Sequence, residues 1–160
     1  MGHLQIIEDG EPCNCGNYGC LETVASSRAI VRKAQLLAEY NPDLILNTYV
    51  SSPEEITTNE VLRAYEAGNL EIAKIIKQAG RYIGIIVANS IGILNIPQIV
   101  IAGSLARFGD ILLQVIQEEM EQRALRNIVE ETELRLSNLG QDIVMQGAAS
   151  IILHHELGVI

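Results

Sequence analysis

One short stretch, Gly2 to Glu22, constrains what this chain can fold into more than any other. It reads GHLQIIEDGEPCNCGNYGCLE and holds all three cysteines of the sequence, Cys13, Cys15 and Cys20, with His3 ten residues before the first. Three thiols and one imidazole are the donor set of a closed, tetrahedral structural metal site. Pro12, Asn14, Gly16, Asn17 and Gly19 lie around the thiols, and such residues favour the tight and left-handed turns that aim several side chains at one point. A disulfide suits the pattern poorly, because one thiol is left over and Cys13 and Cys15 are too close in sequence to pair comfortably. Inert buried thiols are the other alternative, and the turn-forming spacers argue against it. Within the metal reading, a thiolate-rich site favours zinc over magnesium or calcium.

Beyond this knuckle the chain alternates helical and strand patterns. Residues 4–7 read as a short strand entering the knuckle. From Leu21 to Tyr40 apolar residues recur at helical spacing, which predicts one helix with Glu22 in its first turn, ended by Asn41-Pro42. Residues 43–58 are polar and turn-rich, read as a mobile connection with one loose element around Ile45 to Val50. Thr58 is placed to cap a short helix running to Ala67. A long helix is predicted from Leu70 to about Leu94, apolar on nearly every face around Ile83 to Ala88. Gly80, Gly84 and Gly92 are costly there unless close packing uses them.

Ile99-Val100-Ile101-Ala102 reads as a buried parallel strand leading through Gly103-Ser104 into a helix over 105–125, with Glu118, Glu119 and Glu121 on solvated faces. A strand-turn-helix with small residues lets phosphate approach backbone N–H groups, which makes Gly103 and Ser104 candidate nucleotide contacts; a plain tight turn is the alternative where glycine is so sparse. Glu133 to Ser137 alternates as a further strand. A last helix is predicted over about Asp142 to Leu157, with Gly147-Ala148-Ala149 permitting close packing. His154 and His155 near its end have no cysteine or carboxylate cluster beside them and read as solvated or capping groups.

The motif Gly2-His3 followed by Cys13-x-Cys15-Gly16-x-x-Gly19-Cys20-Leu21-Glu22 resembles the signature of the ROK family of repressors, open reading frames and sugar kinases. The later segments, IVIAGS and Leu139-Gly140-x-Asp142 through Gly147-Ala148-Ala149, are similar to the family too. The resemblance implies an α/β, ribonuclease H-like fold of the actin-like ATPase and sugar kinase type, present in part. Residues 1–160 would be a single C-terminal domain, mostly the second lobe with its zinc knuckle, whose final helix packs back toward the first lobe. It implies structural zinc on His3, Cys13, Cys15 and Cys20, sugar contacts from His3 and Glu22, and a nucleotide-side turn at Gly103 and Ser104. The family motif begins with a glutamate that would fall just before Met1, so the chain reads as a portion of a longer protein.

Charge narrows the function classes. With 20 acidic against 11 basic residues the formal charge is −9, and such a surface repels a phosphate backbone. DNA contact is therefore expected only through an N-terminal element outside this sequence. No run of eighteen uninterrupted apolar residues occurs, which predicts a soluble, cytoplasmic protein without membrane contact. Phosphoryl transfer needs an aspartate base, phosphate loops and a magnesium site, and by the resemblance the catalytic aspartate and first phosphate loop precede this region; no catalytic residue is assigned here. Ala102-Gly103-Ser104, with one glycine, and the Leu-Gly-x-Asp ending resemble the family's repressors more than its kinases. The first expectation is therefore the sugar-sensing, oligomerising part of a transcriptional repressor, a homodimer taking a small sugar as effector. The second is the C-terminal half of an ATP-dependent hexose kinase, and the third a zinc-stabilised interaction module without a ligand.

Overall fold

The computed structural model describes residues 1–158. Its elements run α1 (Leu21–Ala25), α2 (Ser27–Tyr40), α3 (Thr58–Glu66), α4 (Leu70–Leu94), β1 (Gln98–Ile101), α5 (Gly109–Arg123), α6 (Arg126–Glu131), β2 (Glu133–Leu136) and α7 (Ile143–Glu156), with short 3-10 turns between them. α4 is the spine. Ile72, Ile76, Ile83, Val87 and Ile91 on it join one core with Ile30 and Ala34 of α2, Val61 of α3 and Leu112, Ile116 and Met120 of α5. Two of its glycines explain how α5 comes so close: a Cβ on Gly80 would sit 3.1 Å from Val115, and one on Gly84 would sit 2.5 Å from Glu119 Cβ. Gly92 has open space around it, so that position uses no such contact.

β1 and β2 pair in parallel, from Gln98 opposite Glu133 to Ile101 opposite Leu136. The parallel pairing agrees with the sequence, but the expected full burial does not. Ile99 and Ile101 face the core while Val100 on the other face is 45% exposed. Only one face of this two-stranded sheet is covered.

Several local expectations are corrected. Residues 4–7 form no strand; the knuckle has only the isolated bridges Gln5 to Cys20 and Pro12 to Tyr18, because its backbone is spent on turns. The predicted helix from Leu21 to Tyr40 is broken at Ser26, which is extended (φ −72°, ψ 160°) and accepts from the Ala29 N–H to start α2. Thr57, not Thr58, caps α3, in a reciprocal capping box with Glu60. The 43–58 connection is not loose. It makes 3-10 turns at Ile45–Thr48 and Pro53–Glu55 and buries Leu44, Leu46 and Ile56. The helix after Gly103 begins as a 3-10 segment to Phe108 and becomes α-helical only at Gly109, whose φ is +61°.

Glu119 is not on a solvated face. It is 8% exposed against α4 and ion-paired with Arg123 at 2.7 Å, which satisfies a carboxylate that burial would otherwise penalise. The last helix lacks the expected close packing. An added Cβ on Gly147 would meet nothing within 4 Å, and no described residue of α7 is buried. Among the described residues no helix is long and apolar enough to cross a membrane.

Candidate metal centre and adjoining cleft

The knuckle is wound by backbone hydrogen bonds. The Cys13 N–H donates to the Asn17 carbonyl at 2.8 Å and the Gly16 N–H to the Cys13 carbonyl at 2.9 Å, which closes the turn carrying Cys13 and Cys15. The Gly19 carbonyl accepts from Ile6 and Ile7, and the Gly19 N–H donates to the Glu11 carbonyl at 2.8 Å. Gly19 has φ +62°, and a Cβ there would collide with the Ile7 carbonyl oxygen, so only glycine fits.

This winding brings His3, Cys13, Cys15 and Cys20 together, with one ligand atom from each within 4.8 Å of all the others. His3 Nδ1 lies 3.5 Å from Cys13 Sγ, and Cys15 Sγ lies 3.7 Å from Cys20 Sγ. Four donors around one ion, with metal–sulfur bonds of about 2.3 Å and metal–nitrogen bonds of about 2.0–2.1 Å, form a tetrahedron whose edges are about 3.5–3.8 Å. The His3–Cys13 and Cys15–Cys20 separations fit that figure and all four donors lie within 4.8 Å, so the cluster could hold a metal ion.

The thiols differ in environment. Burial, then the neighbouring thiols, push Cys20 up to about 12. A hydrogen bond at the Asn17 backbone holds the exposed Cys15 below the usual thiol range. A bound cation reverses the effect of burial on a coordinating thiol, because it stabilises the thiolate.

The cluster also builds a cleft. The Glu22 N–H donates to the Gly2 carbonyl at 2.8 Å and the Leu21 N–H to the Leu4 carbonyl at 2.9 Å, so the start of α1 is laced to the segment carrying His3. As a result His3 and Glu22 line one cavity of ≈ 440 Å³, together with Asn14, Thr23 and Ser26. With Nδ1 turned to the cluster, His3 keeps its second ring nitrogen for another partner. Arg28 and Arg32 line the same cavity, and Arg32 ties α2 to the knuckle through an ion pair with Glu11 and to α1 through a 3.2 Å bond to the Thr23 carbonyl. Sequence reasoning missed both arginines. The Ser26-Ser27 pair interrupting a helical pattern was the available sign that a new helix, and hence a new wall, begins there.

Gly103 and Ser104 lie apart from this cluster. Gly103 has φ +69°, and the turn lines a second cavity with Thr57, Asn59, Arg107 and Val144. The two cavities are neighbours, since Ser104 Oγ hydrogen-bonds Ser27 Oγ at 2.8 Å at the start of α2. His154 and His155 are exposed in the last turn of α7 and belong to no cluster of candidate ligands among the described residues.

A family model described as the ROK family matches residues 1–155. A glucokinase of Halalkalibacterium halodurans is 33% identical over 158 residues, covering 98% of this chain and 48% of that protein. The DNA-binding transcriptional repressor Mlc of Escherichia coli K12 is 30% identical over 151 residues, covering 94% of this chain and 36% of that one. The crystal structure of a ROK family glucokinase from Streptomyces griseus, in complex with glucose and AMPPNP, matches with a TM-score of 0.81 at 23% identity, over 94% of this chain and 49% of that chain. That likeness shows the fold, which is part of the sugar kinase architecture. The chain thus spans about half or less of the relatives it matches.

Proposed function

The chain belongs to the ROK family, and from that premise we propose that it is the sugar-sensing, oligomerising portion of a ROK-type transcriptional regulator. The observation that carries the sugar site is the convergence of His3 and Glu22 on one cleft braced by the Cys/His cluster. Glu22 accepts hydrogen bonds from sugar hydroxyls, and His3 adds one through the ring nitrogen not turned to the thiols. Zinc is the ion that three thiolates and an imidazole suit best, and four protein ligands leave it a structural part, closing a loop that has little core of its own.

The regulator reading is supported by kinship with Mlc and by a turn at Ala102-Gly103-Ser104 that carries one glycine, with its serine hydroxyl already engaged by Ser27. Sugar held between this cleft and a preceding lobe would favour one arrangement of a dimer, moving a DNA-binding element on or off its half-sites. A second reading, the C-terminal half of an ATP-dependent hexose kinase, draws on the glucokinase relative and on the adjacency of the two cavities.

One experiment separates them. The full-length protein is titrated with glucose, xylose and N-acetylglucosamine while operator binding and ADP formation from ATP are followed together. Release of DNA by a sugar without ADP formation is the expected result. Sugar-dependent ADP formation establishes the kinase instead, and indifference to every sugar leaves the interaction module.

A further inference from the structure

We infer that Cys15 and Cys20 form a modification site, a pair of zinc ligands that a peroxide converts to a disulfide with loss of the ion. The inference is independent of the sugar site and rests on the reading of the cluster as a zinc centre. How well a thiolate ligand is shielded from reagents depends on its own burial. In this cluster burial is uneven: Cys13 and Cys20 are buried, and Cys15 is exposed. Cys15 lies within the exposed run from Asn14 to Tyr18, and Gly16 beside it has open space where a side chain would be. Cys13 lines the cleft and Cys15 does not, so a reagent from solvent meets Cys15 whether or not the cleft is filled.

The exposed sulfur also has a partner in place. Cys15 Sγ lies 3.7 Å from Cys20 Sγ, while Cys13 Sγ lies 3.5 Å from His3 Nδ1. Forming a bond of about 2.05 Å asks the first pair to close by roughly 1.6 Å. Cys20 is held by the tight Gly19 turn and by its place at the start of α1, so the movement falls on Cys15 and the open Gly16. Cys13, the thiol left over from an odd count, stays with His3.

Peroxide is the only co-reactant the chemistry needs. A coordinating thiol is already deprotonated, and the Cys15 thiolate attacks one peroxide oxygen. An S–O bond forms, the O–O bond breaks, and hydroxide leaves to be protonated to water. The Cys20 thiolate then attacks the sulfur of that sulfenic acid, forming the S–S bond and breaking the S–O bond, and the second hydroxide is protonated to water. The two sulfurs together give up two electrons, which the peroxide oxygens accept. His3 and Cys13 remain, too few donors to close a structural site. The ion's link between the His3 segment and Cys20 is lost with it.

The test treats the zinc-loaded full-length protein with hydrogen peroxide while a colorimetric chelator reports released zinc. Remaining thiols are then alkylated and the peptides mapped by mass spectrometry. Zinc release is expected together with a peptide link through Cys15 and Cys20, an alkylated Cys13, and recovery of zinc binding after dithiothreitol and added zinc. Cys15→His keeps a ligand at the exposed position and removes the reactive sulfur, so it should release zinc to peroxide at least about 10-fold more slowly. Cys13→His leaves the reacting pair intact and should release it within about 2-fold of the wild-type rate. A disulfide through Cys13, oxidation without a disulfide, zinc retained under excess peroxide, or release from Cys15→His at the wild-type rate each overturns the inference. Where neither variant holds zinc, the disulfide map of the wild-type protein decides it alone. A wild-type protein that binds no zinc overturns the zinc reading itself.

Discussion

At the scale of single residues, the knuckle depends on backbone that side chains cannot replace. Gly19 accepts two N–H groups and donates one in a left-handed conformation, with the Ile7 carbonyl against its missing Cβ. Gly19→Ala must therefore move the chain between Glu11 and Cys20, and the four ligand atoms lose their common centre. We expect this variant to bind metal at least about 10-fold more weakly, in the range that follows when the groups supporting ligands are disturbed. It should lower the melting temperature by about as much as a chelator lowers that of the wild type, and adding the chelator to the variant should change little. Metal content by atomic absorption, with melting curves, checks it. A Gly19→Ala protein that holds stoichiometric metal with unchanged affinity would show that the turn and the ligand set are independent. The ligands themselves were legible in the sequence because their identity and spacing are local. Arg28 and Arg32 were not, because their place on the cavity wall depends on the break at Ser26 that starts α2, and that is known only once the chain is folded.

At the scale of elements, the crossing of α4 and α5 is where sequence and packing meet most clearly. The pattern from Leu70 to Leu94 announced the helix, and its glycines announced close approach, but which glycines are used depends on α5. Gly84 lies under Glu119 and Ile116, whereas Gly92 faces open space. Gly84→Ala is expected to destabilise by about 1–3 kcal/mol, the usual cost of overpacking a core. Gly92→Ala should be neutral or stabilising by up to about 1 kcal/mol, the difference in helix propensity. Urea unfolding of both variants checks the pair, and equal effects would refute the assignment of Gly84 to the crossing. The elements that the sequence did not reveal have a common cause. Ser26 breaks a continuous apolar pattern because its hydroxyl offers the Ala29 N–H a cap. Gly109 delays α5 by a turn, and α6 is six residues long, too short for periodicity to declare itself. The charge of Glu119 predicts a solvated place, yet its position beneath α4 and its Arg123 partner decide its burial.

At the scale of the whole molecule, α7 sets the problem that the rest of the fold does not solve. Val144, Ala148, Ile151 and Ile152 fall at the spacing of one helical face, and Val144, Ile151 and Ile152 are 78%, 65% and 64% exposed. The outer face of the sheet at Val100 and the end of α4 at Ile93 and Leu94 are bare as well. Apolar stripes of this extent mark contact surfaces in soluble proteins, and the chain spans about half of the glucokinase it resembles in sequence. On the proposal that these residues form most of the second lobe of a two-lobed protein, the preceding lobe covers α7. Ile152→Glu then buries an unpaired carboxylate in the full-length protein and should cost about 3 kcal/mol or more. In the 160-residue chain alone the same substitution places a charge in water, and its effect should stay within about 0.5 kcal/mol. Denaturant unfolding of the four proteins gives both numbers and needs no knowledge of the ligand. A small effect in both contexts would leave α7 solvated in the whole protein and would remove the packing between lobes on which closure around a sugar depends.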